Sequence, residues 1–194
     1  MTMTSRERVQ TVLNHEVPDR VPIVIGVSNA TGIKIHPYRG IKKIMGIESE
    51  DRYIYDWSEL GTALPDEEVM LRLHSDVRGL LDRFPKEVYE RNQSRPPHSP
   101  FFDDWGNGQK EIGPDNWYPG VHPMPDAKTI ADLDSFSWPD MDDPYRTSHV
   151  REQALKLHNE NQYALIGTPW LMFPFERAIG LQGMETFLSN ICLL

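Results

Sequence analysis

Cysteine is almost absent: Cys192 is the only one in 194 residues. One thiol can form no internal disulfide and no cysteine-rich zinc centre, so a reducing, cytoplasmic compartment is the simplest expectation. Positive charge is also in deficit. Twenty Lys and Arg face 29 Asp and Glu, a net charge of −9, which repels phosphate backbones and anionic lipid and argues against nucleic-acid or membrane-surface partners. No run of about 18 apolar residues occurs, and Met1 to Arg8 is polar with no apolar stretch behind it, so neither a membrane span nor an ordinary signal peptide is expected. Phosphate-cradling glycine loops and Gly-x-Ser-x-Gly elbows are missing. The crowding of Asp140, Asp142 and Asp143 lacks calcium-loop spacing, and His36 and His74 fit no zinc pattern. Asn29 and Asn92 open glycosylation triplets, which carry no weight in a cytosolic chain.

What remains is an ordinary globular composition, 39% hydrophobic, 10% aromatic and 25% charged, with length enough to bury a core. Thr4-Ser5-Arg6-Glu7 reads as a capping box, and Val9, Val12 and Leu13 at helical spacing predict a helix to about His15. The breaker Val17-Pro18-Asp19-Arg20 precedes 21–27, whose continuous β-branched run predicts a strand buried on both faces. Acidic Asp66, Glu67 and Glu68 open a helix ending near His74, and 76–81 is a weaker strand expectation. From Pro85 to Pro144 lie ten of the sixteen prolines and four of the thirteen glycines. Proline removes backbone donors, so this stretch is expected to hold loops, short strands and one brief helix at 129–133, as an ordered functional rim. Asp143 and Pro144 then open the clearest helix, followed by another buried strand over 162–167 and helical spacing through Phe175, Ala178 and Ile179. Alternation of these elements favours an α/β fold.

Several segments together resemble the uroporphyrinogen decarboxylase superfamily. They are Thr4 to Val9 with Asn14 to Ile23, Leu73-His74-Ser75-Asp76-Val77-Arg78, Asp103-Asp104-Trp105-Gly106, His122-Pro123-Met124, Leu133 through Trp138-Pro139-Asp140, and Gly167-Thr168-Pro169-Trp170. Their order matches the family's and spans nearly the whole chain. The resemblance implies a (β/α)₈ barrel with its active site at the C-terminal ends of the strands. Such barrels need about 250 residues, so the expectation is the N-terminal part, residues 1–194, of one barrel domain with a rim at about 85–144.

Two departures separate the family's branches. Decarboxylases follow the first strand with arginines that fork onto substrate carboxylates, whereas 26–32 carries none. They also place a tyrosine after their Ala-Pro-Trp motif, where this chain has Phe175. The Asp76-Val77-Arg78 and Asp103-Asp104-Trp105-Gly106 segments look more like the cobalamin-dependent methyltransferases. Corrinoid-dependent methyl transfer is therefore the preferred expectation, with a corrinoid protein as partner, a small methylated donor, and zinc bound by His and Cys ligands that this chain lacks. Decarboxylation of a tetrapyrrole, uroporphyrinogen, is the enzymatic alternative. The non-enzymatic alternative is a half-barrel assembly module that dimerises through its open edge.

Four residues are singled out. Asp76, at a strand end, is the catalytic candidate for hydrogen bonding or proton transfer, the bland alternative being an ion pair with Arg78 or a turn cap. His122 in the rim is a substrate-binding candidate, although a loop histidine is usually only solvated. Trp170 and Phe175 could line an apolar substrate or corrin pocket, although such aromatics more often pack a core.

Overall fold

The computed structural model describes residues 2–58, 61–96, 99–113, 116–160, 162–168 and 174–192. It is a mixed α/β structure that divides into two units. The first comprises Met1–Arg83 with Thr147–Trp170, the second Phe84–Arg146 with Leu171–Leu194.

In the first unit the expected capping box forms: Thr4 accepts from the Glu7 amide, Glu7 reaches back to the Thr4 amide, and helix α1 runs Ser5–Leu13. Helix α2, Ile35–Met45, was not expected from the sequence. Its Pro37 lies in the first turn, where no intrahelical donor is lost, and Gly46 ends it at φ 65°. Ile35 and Tyr38 of α2 pack on Ala63 and on Val69 of α3, Glu67–Arg72, to form a small core. The Tyr38 hydroxyl donates to Asp66 Oδ2 at 2.6 Å and accepts from the Asp66 amide at 2.7 Å, tying α2 to the start of α3.

Strand β1, Val77–Leu81, pairs in parallel with β5, Ala164–Thr168, in the register Val77 to Ala164 through Leu81 to Thr168. The connection between them includes α6, Pro144–Glu160, the longest described helix, which begins at the Pro144 expected to open it. Among the described residues this pair is the only parallel sheet, and no barrel closes.

Segment 21–27 corrects the sequence expectation. It does run alongside β1 in the same direction, with Ile23 O accepting from the Asp76 amide at 2.7 Å, but it is no strand. Its amides are taken by other partners: Ile23 N by the Asp76 carboxylate, Gly26 N by Thr31 O and Val27 N by Thr31 Oγ1. Nor is it buried on both faces, since Val21 is 79% exposed. Hydrophobic content alone cannot foresee that a carboxylate and a tight turn will outcompete a ladder.

Val27 crosses β1 at Gly79, where a Cβ would lie 2.7 Å from Val27 O. Backbone cannot retreat as a side-chain tip can, so Gly79→Ala is expected to lower stability by about 1–3 kcal/mol. A urea titration with unchanged midpoint would contradict this close approach.

The second unit holds more regular structure than its prolines suggest. Helix α4, Lys86–Gln93, precedes an antiparallel sheet in the order β2 (Phe101–Phe102), β3 (Gly108–Gly113), β4 (Asn116–Val121). Short helix α5, Ile130–Asp134, has its own capping box from Thr129 and Asp132. Helices α7, Pro174–Gln182, and α8, Met184–Cys192, meet at Gly183, whose φ of 88° lets the chain turn. Residues 122–127 cap the end of α7: Met124 N donates to Leu181 O at 2.9 Å and Gln182 Nε2 to Ala127 O at 2.9 Å.

Candidate functional site

In a parallel sheet the backbone at the C-terminal edge is where ligands are usually met, and here that edge gathers several polar groups in the first unit. Leu81 and Thr168 are partners in the register and end their strands together. Thr168 donates its hydroxyl to Val27 O at 2.7 Å, so the end of segment 21–27 reaches the same place. The Tyr55 hydroxyl donates to Thr168 O at 2.8 Å, and Tyr55 holds φ 59° within the turn Ile54–Asp56. A bulky side chain in that region costs about 1–3 kcal/mol and persists only where the surroundings impose it. On the other strand, His149 Nε2 lies 3.0 Å from Leu81 O and donates to it, while the buried Nδ1 has no hydrogen-bond partner among the described residues.

Burial, seconded by the charge of Asp82 and opposed by the hydrogen bond to Thr168, pushes the Tyr55 phenol up to about 12. At neutral pH it is therefore a donor and never a base. The edge gathers a phenol, a threonine and an imidazole, a set that orients a polar group.

Asp76 is not at that edge. It lies at the opposite, N-terminal end of β1, with 0% exposure. Both its oxygens are in use: Arg8 Nη1 reaches Oδ1 at 2.6 Å, Arg20 donates to Oδ1 and Oδ2 at 2.8 Å each, and the Ile23 amide reaches Oδ2 at 2.8 Å. Burial alone would raise its pKa. The Ile23 amide, Ser5, Arg20 and Arg8 outweigh that and hold the carboxyl below its usual range. Arg8 also forks onto Asp19 at 2.6 and 3.0 Å, so four charges from α1, the Pro18 breaker and β1 form one cluster. Arg78, the partner considered from the sequence, turns instead to Glu67 and stacks 3.6 Å from the centre of the Tyr163 ring.

The remaining sequence candidates fall in the second unit or outside the described residues. His122 Nδ1 lies 2.8 Å from Gly180 O, so the imidazole caps a terminal carbonyl of α7. Phe175 is 55% exposed and meets Phe187 edge-on at 5.4 Å. Trp170 lies outside the described residues. The second unit also holds a charged cluster that sequence reasoning missed. Asp103 accepts from the Trp105 amide at 3.0 Å and the Asn107 amide at 2.8 Å, closing the turn over Asp103-Asp104-Trp105-Gly106, and it receives Arg177 Nη1 at 3.0 Å. The Arg177 guanidinium lies 4.4 Å from the Trp105 ring centre, and Asp104 pairs with Arg146. Asp104 lies in that turn.

Among the described residues no group of three or more His, Cys, Asp or Glu side chains comes together to hold a metal ion. The zinc implied by the resemblance thus has no ligand set in them. No helix of the described residues is long and apolar enough to cross a membrane. No family model, curated protein or solved structure matches the chain.

Proposed function

We propose that the chain forms part of a (β/α)₈ barrel of the uroporphyrinogen decarboxylase type, and that it serves corrinoid-dependent methyl transfer by orienting a small methylated donor at the C-terminal edge of β1 and β5. The observation that carries this reading is the convergence of Tyr55, Thr168 and His149 on paired strand ends. Helix α6 lies within the connection from β1 to β5, as a strand, helix and parallel strand unit requires. The ordered segments that resemble the superfamily supply the rest.

The absence of arginine from 26–32 favours methyl transfer over decarboxylation. Segment 26–32 offers no guanidinium to a polycarboxylate, while a protonated phenol suits an ether or hydroxyl oxygen. In this reading Tyr55 donates to the donor's oxygen in exchange for Thr168 O, and His149 accepts from a neighbouring hydroxyl. The corrinoid is brought by a partner protein and supplies the methyl-accepting metal. No step is assigned to zinc, for which the described residues provide no ligands.

The test is methyl transfer from a methoxylated aromatic to cob(I)alamin, followed by the absorbance change of the corrinoid, using the protein made from its own gene. Tyr55→Phe is expected to lower kcat/KM about tenfold, the value of one hydrogen bond to a polar substrate atom. Metal-free turnover of uroporphyrinogen would overturn this reading in favour of decarboxylation. A stable dimer that binds neither ligand would favour the assembly module.

A further inference from the structure

The second unit contains a groove that the reading above does not use. It has a volume of about 540 Å³ and lies between α5 and α8, well within the range of small-molecule sites. Its walls are Ile130 and Leu133 on one side and Phe187 and Ile191 on the other. Three features make it unlike an ordinary surface. Helix α8 is apolar yet has no buried residue. Ile130 is 77% exposed and Ile191 47%, so water meets a contiguous hydrophobic surface. At the rim stands Lys128, which has no ion pair among the described residues.

The local acid is already engaged. Asp132 Oδ2 accepts from the Lys128 amide at 2.9 Å, the Thr129 amide at 2.8 Å and the Thr129 hydroxyl at 2.8 Å, which fixes the carboxylate at the helix start. The Asn190 amide, also lining the groove, has no hydrogen-bond partner among the described residues. An ammonium and a carboxamide therefore border one apolar trough.

We infer that this groove binds a small amphipathic carboxylate, with its hydrocarbon body between α5 and α8 and its carboxylate at Lys128 and Asn190. Charge decides among occupants. An uncharged apolar helix would cover Lys128 without bringing a counter-ion, and an uncompensated buried ammonium is costly. A fatty or aromatic acid covers the same surface and brings the missing anion.

Octanoate, 1-octanol and octylamine are suitable probes, titrated into the whole protein by calorimetry and by amide NMR shifts. The expected result is saturable octanoate binding with shifts confined to α5 and α8, and octanol binding about tenfold weaker, since one charge-assisted hydrogen bond is worth roughly that factor. Lys128→Gln should bring octanoate to the octanol level without changing octanol affinity. Ile191→Asp should abolish binding of both, and because Ile191 is half exposed the melting temperature should hold. Equal affinity for octanoate and octanol in the unaltered protein would overturn the inference. So would non-saturable binding, or a dimer in sedimentation that Ile191→Asp dissociates while octanoate leaves it intact.

Discussion

Asp76→Ala is expected to unfold the first unit rather than merely silence it. The substitution removes the carboxylate that bonds the guanidiniums of both Arg8 and Arg20, and it leaves the Ile23 amide without its acceptor. Arg8 is 5% exposed, so its charge stays buried with Asp19 alone as counter-ion. Removing one member of a buried ion pair costs about 3–5 kcal/mol, a large part of the 5–15 kcal/mol that holds a typical domain together. Asp76→Asn keeps the shape and two polar atoms but loses the charge, and should fall between the alanine variant and the unaltered protein. These variants separate two roles for the residue. A carboxylate used for proton transfer would tolerate Asn with the fold intact and activity gone, whereas a carboxylate that ties 21–23 and α1 to β1 loses melting temperature in both variants. Circular dichroism melts of the three proteins distinguish them, and an Asp76→Asn melt coincident with the original would contradict the positioning role.

The same cluster shows what a sequence discloses and what it withholds. Local signals were legible where the physics is local. The Thr4–Glu7 capping box, Pro144 at the start of α6 and the brief helix at 129–133 each rest on residues close in the chain, and each formed. Strand β1 and strand β5 were readable from short apolar runs, although Ile166 and Gly167 of β5 are exposed. Partner choice was not readable. Asp76 and Arg78 are two residues apart, but adjacent strand residues point to opposite faces when separated by one and share a face when separated by two. Geometry then depends on what else reaches that face. Arg8 and Arg20 arrive from 68 and 56 residues away, and only the fold brings them. Tyr55 and His149 escaped notice for the same reason, since neither sits in a recognisable pattern. A weak signal existed for α2 in the Lys42-Lys43 pair before Gly46, a basic last turn and a glycine stop. Pro37 and Gly40 obscured it.

The second large effect expected is a pH response of opposite sign in the two units. In the first, Asp76 and Asp19 are held below their usual range, Asp19 chiefly by the hydrogen bond from Arg8. A depressed carboxyl contributes stability that is present above its unfolded pKa, about 4, and is lost as pH falls through the folded value. In the second unit burial raises the pKa of Asp103, against the hydrogen bonds of Asn107 and the charge of Arg177. The sign reverses: this carboxyl contributes most below its unfolded pKa, and stability declines as pH rises from there through the raised folded value. Acidification from neutral pH should therefore weaken the first unit while relieving the second. Amide exchange at β1 and β3, measured at successive pH values, reads both on one sample. Asp103→Asn should flatten the response at β3 and leave β1 unchanged, because an amide keeps a partner for Asn107 and Arg177 without titrating. Asp103→Leu should instead cost about 3–5 kcal/mol, because Arg177, 7% exposed, loses its counter-ion while its guanidinium remains against Trp105. Parallel acid protection curves at β1 and β3 would show that burial does not govern Asp103 and that the two clusters do not titrate in opposite directions.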